Sequence, residues 1–151
     1  MALIQIPVQH HDHYPTAGLN PAQVVAVYHR PLVAGPATMI ELNARDPQPA
    51  DSAPEGRVRT LLSTDSVADV VAALAAVGAP LVPVELVRIT SGTPVDHHVN
   101  PAAIVAVQPL ATGNGRVWLS NGEDLFVTAA ALQVLAGQLV APAAAVAAGK
   151  I

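Results

Sequence analysis

Cysteine is absent from this chain of 151 residues, so disulfides and thiolate chemistry play no part in what it does. Lysine is nearly absent too. Lys150 is the sole example, and six arginines are scattered between Arg30 and Arg116. The formal net charge is −4. Such a balance is a poor footprint for a polyanion, and nucleic acid is not expected as a partner. Four aromatic residues, Tyr14, Tyr28, Trp118 and Phe126, leave little for base stacking. Charged residues make up 12% of the chain, where ordinary domains carry about 25%.

Hydrophobic residues, by contrast, make up 52%. A single core of this size cannot hide so much apolar surface, so the excess is expected to lie against other copies or another structural subunit. A membrane is a poor alternative. The apolar windows 67–84 and 129–148 are interrupted by Asp69, Gly78, Pro80 and Pro83, and by Gln133, Gln138 and Pro142. No basic segment followed by an apolar run opens the chain, so no signal peptide is expected, and the location reads as virion or cytoplasmic.

The most telling feature is a repeat. NPAQVVAV begins at Asn20 and NPAAIVAV begins at Asn100. After the second copy, residues 103–110 read as a strand, Asn114-Gly115 as a turn, 116–120 as the returning strand, Asn121-Gly122 as a second turn and 124–127 as a third strand. Thr128 then caps a predicted helix from 129 to about 139, with Leu132, Leu135 and Leu139 on one face. After the first copy the same grammar predicts strands over 24–32, 38–43 and 57–62. A helix follows, opened by residues 63–66 and closed by Gly78 and Pro80. A proline-rich insertion, 44–56, replaces the tight turn and reads as an exposed loop. Extended leaders, 3–8 and 81–90, precede the two copies and suit sheet edges because of Pro7 and Pro83. The fold class is therefore α+β, mainly antiparallel β, with duplicated βββα units and two short helices. The units span 1–79 and 80–151, the second ending in an alanine-rich tail. That tail, 141–151, is expected to dock on a neighbouring subunit.

The second copy resembles the FlbD-like family of short flagellar proteins over residues 99–136, through Val99-Asn100-Pro101, Ile104-Val105, Val117 to Gly122, and Val127 before a helix. The resemblance implies the βββ-helix shape and no more.

Chemistry-bearing residues cluster at one kind of place. His10, His11 and His13 precede the first Asn-Pro, and His97 and His98 precede the second. Imidazole with Asp12 and Asp96 is a donor set for zinc, nickel or copper, though the spacing matches no established ligand motif. The bland reading is a solvated loop or an interface. Asp12 with His13 and Asp96 with His97 could orient a base, but no nucleophile accompanies them, so no enzyme and no cofactor are expected. Trp118 and Phe126 read as core. Arg57 and Arg59, on one strand face, read as solvated edge charges that discourage strand pairing.

The functional expectation is a non-enzymatic assembly protein acting by protein–protein contacts, homo-oligomeric or part of a larger particle. The scarcity of lysine beside abundant alanine, valine, proline and glycine favours an accessory, shell-decorating virion protein of a bacteriophage from a GC-rich host. The alternative is a small metal- or ligand-binding module using the paired histidine loops.

Overall fold

A computed structural model describes residues 3–9, 15–31, 34–46 and 57–137. Of the insertion 44–56 that reads as an exposed loop, residues 44–46 continue a strand, while 47–56 lie outside the described residues, as do His10, His11, His13 and the C-terminal tail.

The chain opens with β1 (Ile4–Pro7) and β2 (Thr16–Leu19), which form a two-stranded antiparallel sheet. Asn20 then caps a single 3₁₀ turn (Pro21–Gln23), its side-chain oxygen accepting from the Ala22 N–H. Out of that turn come β3 (Val24–His29), β4 (Thr38–Asp46) and β5 (Arg57–Ser63), followed by helix α1 (Val67–Ala76) capped by Ser66. Next are β6 (Val82–Val84) and β7 (Val95–Val99). Asn100 caps a second 3₁₀ turn (Pro101–Ala103) through the same kind of bond to Ala102. The chain continues into β8 (Ile104–Pro109), β9 (Gly115–Leu119) and β10 (Asp124–Val127), then α2 (Ala129–Ala136), capped by Thr128. The architecture is α+β, dominated by antiparallel sheet with two short helices. Among the described residues, no helix is long and apolar enough to cross a membrane.

The pairing is less local than the element order. Strands β10, β9 and β8 make a three-stranded sheet, but the five-stranded sheet runs β5-β4-β3-β7-β6 and so crosses the sequence boundary near residue 79. The predicted leader 81–90 is not one strand. It yields β6 and then irregular backbone. The polar residues 96–98, which read as loop, lie in β7. There His97 takes an inward position and is buried like Val99, so a polar residue type conceals the strand's inward-facing pattern.

β3 separates two cores. Val24 and Val27 pack with Ile6, Leu19, Ile40, Val70 and Leu74. Val25, Ala26 and Tyr28 pack with Val84, Val99, Val117, Leu119, Val127 and Leu135. A bulge between Val24 and Ala26 breaks the simple alternation. Five of β3's six residues are buried, the continuous apolar run of a strand covered on both faces.

Trp118 and Phe126 are not core. They are 39% and 45% exposed. Strand alternation turns Val117, Leu119 and Val127 inward, which puts both aromatic rings on the outer face.

Polar contacts dock the β9–β10 turn onto β4. Asn121 donates to the Glu41 carboxylate at 2.7 Å and to the Leu42 carbonyl at 3.3 Å, and Ser120 Oγ donates to Asn43 Oδ1 at 3.0 Å. Glu41 is 8% exposed, so burial leaves its charge dependent on these donors. Asn121→Ala is expected to destabilise the fold by about 1–3 kcal/mol in urea unfolding, because it strands a buried carboxylate. Adding Glu41→Gln should recover part of that loss.

Candidate functional site

The β3–β7 pairing brings distant polar residues together beside the second core. His97 is 4% exposed, and its ring stacks on Tyr28 with centroids 4.7 Å apart and planes within 6°. Its Nδ1 is buried with no hydrogen-bond partner among the described residues. Burial, with the neighbouring His98 second, lowers the His97 pKa to about 4, so the ring is neutral near pH 7. Tyr28 is pushed up to about 12, by burial first and then by the Glu41 charge. Glu41 is itself raised, mainly by burial, against the lowering effect of the Asn121 bond.

His98 goes the other way. Adjacent strand residues face opposite sides of a sheet. Its Nε2 lies 2.9 Å from Asp96 Oδ1, and Asp96 adopts a left-handed φ of 49°. Among the described residues no group of three or more histidines and acids is placed to hold a metal ion. The structure therefore does not bring His97 and His98 to a common point, and His10, His11 and His13 are not described.

A cleft of about 230 Å³ opens beside this cluster, bordered by Tyr28, Arg30, Glu41, Ile89, Thr93, His97, Asp124 and Phe126 among others. A second, of about 430 Å³, adjoins it and is lined by Glu85, Arg88, Pro94, Asp96, His97 and Thr128. Between them the 88–94 segment forms an ordered turn. Thr93 Oγ1 accepts from the Ile89 and Thr90 N–H groups, and the Thr93 N–H donates to the Thr90 carbonyl. Ile89 is 76% exposed.

The acids nearby are mostly engaged. Asp124 accepts from Arg116, Glu123 lies 3.6 Å from Arg45, and Asp96 holds His98. The Arg116 guanidinium stands 5.2 Å from the Trp118 ring centre, and that of Arg30 stands 5.9 Å from Tyr28. Arg88 is exposed and makes no ion pair among the described residues. Arg30 and Phe126 border the smaller cleft and Arg88 the larger, beside Glu41, Glu85, Asp96, Glu123 and Asp124, while Arg116 and Trp118 lie on the neighbouring strand β9. Sequence reasoning singled out neither Arg30 nor Arg88. The available signal was the run RITSGT, an arginine ahead of a hydroxyl- and glycine-rich turn. Arg57 and Arg59 are exposed on β5, an edge strand.

No family model matches the sequence, and no curated protein matches it. Among solved structures, a LytTr DNA-binding domain of a response regulator from Bacillus cereus is similar, with a TM-score of 0.50 and 12% identity. The match covers 91% of this chain and 95% of that one. At this identity the likeness is one of fold.

That finding corrects two expectations. The reading as an accessory, shell-decorating virion assembly protein rested on composition and is overturned by a neighbour that is a DNA-binding domain. So is the exclusion of nucleic acid as a partner. Net charge sums over the chain and says nothing of placement: the structure ties Glu123 and Asp124 to Arg45 and Arg116 and leaves Arg30 and Arg88 at the surface.

His97 gives a pH test. Its proton is held less tightly in the folded state, near 4, than at the ordinary value of 6.5. Its contribution to stability is fully present above pH 6.5 and is lost as pH falls toward 4. The loss is expected to approach about 3 kcal/mol, measured by chemical unfolding at several pH values. His97→Phe should flatten that part of the profile, the wild type and variant being compared at each pH.

Proposed function

We propose that this chain is a DNA-binding module built from two copies of one unit, and that it works by binding rather than catalysis. The observation that carries the DNA reading is the fold shared with a LytTr DNA-binding domain over nine-tenths of both chains.

The two-unit reading rests on matched bonds. Asn20 and Asn100 cap equivalent 3₁₀ turns. Val8 bridges to Ser63 as Leu86 bridges to Val127. The Thr64 N–H donates to the Pro7 carbonyl as Thr128 donates to Glu85, and Gln9 donates to Leu62 as Val87 donates to Phe126. The β3–β4 and β8–β9 ladders shift register at the same point, between Val24 and Ala26 and between Ile104 and Ala106. The units run from the start to about residue 79 and from 80 onward.

The surface assigned to DNA is the rim of the two clefts together with the adjoining outer face of β9 and β10. Arg30 and Arg88 reach phosphates. The 88–94 turn offers hydroxyls. Trp118 and Phe126 supply apolar contact to sugars and thymine methyl groups. Arg116, tied to Asp124, positions Trp118 more than it binds. With few cations engaged, the salt dependence is shallow: a log–log slope of roughly −2 to −3 is expected.

Selection from a randomised duplex pool, followed by fluorescence anisotropy on the enriched sequence, tests this. Arg30→Ala and Arg88→Ala should each weaken binding by about tenfold and reduce the slope by about 1. Failure to retain any duplex at low salt, by a protein that is folded by circular dichroism, would refute the reading.

A further inference from the structure

The junction between the two units is made by one strand edge, and its counterpart in the second unit is open. β3 carries β4 on one side and β7 on the other. β8, its equivalent, carries β9 on one side and no strand on the other among the described residues. The side chains record the difference. Val25 is fully buried, while Val105, at the matching bulge, is 65% exposed. Val25, Ala26 and Tyr28 fill the core of the second unit. Their counterparts Val105, Ala106 and Gln108 are not among the buried residues of either core.

The complementary edge is open as well. β7 corresponds to β2, which pairs only with β1 among the described residues. At the internal junction the Asn100 N–H donates to the Val25 carbonyl at 2.8 Å, and its side-chain amide donates to the Val24 carbonyl at 2.9 Å. Asn20 makes the same local cap to Ala22, is exposed, and has no acceptor for those two donors among the described residues.

We propose that β2 of one copy of this chain adds to the β8 edge of another, repeating between molecules the β7–β3 junction within them. Leu19 then faces Ala106 and Gly18 faces Val107, as Val99 faces Ala26 and His98 faces Val27 inside the chain. The Asn20 donors meet the carbonyls of Val105 and Ile104. The occupant is a second copy because both halves of the contact are on one chain and match each other in a register the chain already uses. Neither edge carries a charge, whereas the β5 edge presents Arg57 and Arg59. Uncharged open edges are those that pair. Pro15 and Pro109 lack N–H groups and end the new ladder there, which makes it shorter than the internal one. The contact is head-to-tail, so it builds rings or open rows rather than a two-fold dimer. This inference rests on the two-unit reading and is independent of DNA binding.

Two substitutions test it, one on each edge. Val105→Lys places an ammonium on the β8 edge. Gly18→Pro removes an outward N–H from β2. The Val8 N–H donates to the Pro15 carbonyl, and alternation along that ladder turns Gly18 away from β1. In sedimentation velocity over a concentration series, the wild type is expected to associate progressively. Each variant alone should need at least about tenfold higher concentration to do so. An equimolar mixture should form a one-to-one complex and nothing larger, because each variant keeps the edge that the other has lost. A wild type that is monomeric throughout, variants that associate like the wild type, or folded variants that do not combine would each overturn the proposal. Should Gly18→Pro not fold, Val105→Lys added to wild type decides the question, since it caps β8 ends and must shorten the assemblies. Duplex binding by Val105→Lys is read separately by anisotropy, so failure here and failure of the DNA reading are distinguishable.

Discussion

β7 lies between β6 and β3, and through it the later part of the chain closes on the earlier part. Most of the structure depends on that pairing. It buries the second edge of β3, completing a strand with five of six residues buried. It places Val99 and Ala103 where Val25 and Ala26 can share their core. It is fastened at one end by Asn100, whose backbone and side chain both donate to β3 while its oxygen caps the following turn. Asn100 thus satisfies a strand edge and starts the next element, whereas Asn20 shares only the cap of the following turn among the described residues. A hydrogen-bonded edge contributes only about 1 kcal/mol net per bond. The larger gain is the apolar area that β7 brings with it, since Val99 and His97 are both nearly inaccessible.

The local elements were legible because they are written in residues that restrict the backbone. Asn121-Gly122 and the Thr128 cap delimit β9, β10 and α2 close to where the pattern put them, and Gly122 takes the positive φ of 88° that the turn requires. Sheet order was not legible. Spacing along a chain shows which strands can form a hairpin, but not which distant edge an unpaired strand will satisfy. β7 was hidden for a further reason. Its sequence, VDHHV, carries polar residues at its centre, and only the stacking of His97 on Tyr28 makes a buried imidazole acceptable there. The helix caps were matters of local composition. The β3–β7 contact was a matter of tertiary complementarity.

The candidate site was hidden by the same fact. Arg30 and Arg88 come to adjoining clefts because β7 and the turn before it are folded back beside β3. Trp118 and Phe126 were more accessible to reasoning than the result suggests. Their neighbours Val117, Leu119 and Val127 alternate inward, so period alone sends both aromatics outward. Assigning them to the core by size overrode the pattern. Histidines drew attention because of their ligand chemistry, yet in β7 one is a buried ring and the other is held by a carboxylate.

Tyr28 joins these threads. Its ring is 4% exposed and belongs to the second core, one face lies against His97, and the Arg30 guanidinium stands near it at the rim. The Glu41 charge that raises its pKa is also the group that receives Asn121 from the docked turn. The proposed DNA surface is therefore not a loop grafted on a finished scaffold. It sits where the two halves meet, and the packing that orients Arg30 is the packing that holds β7 in place. A cation positioned by a buried ring loses less side-chain freedom on binding than one on a free stem, so few arginines can serve where a more basic protein would use many. For a chain with one lysine and a net charge of −4, such preorganisation is what the proposed DNA contact would depend on. The proposed recognition would then depend on the integrity of the inter-half junction.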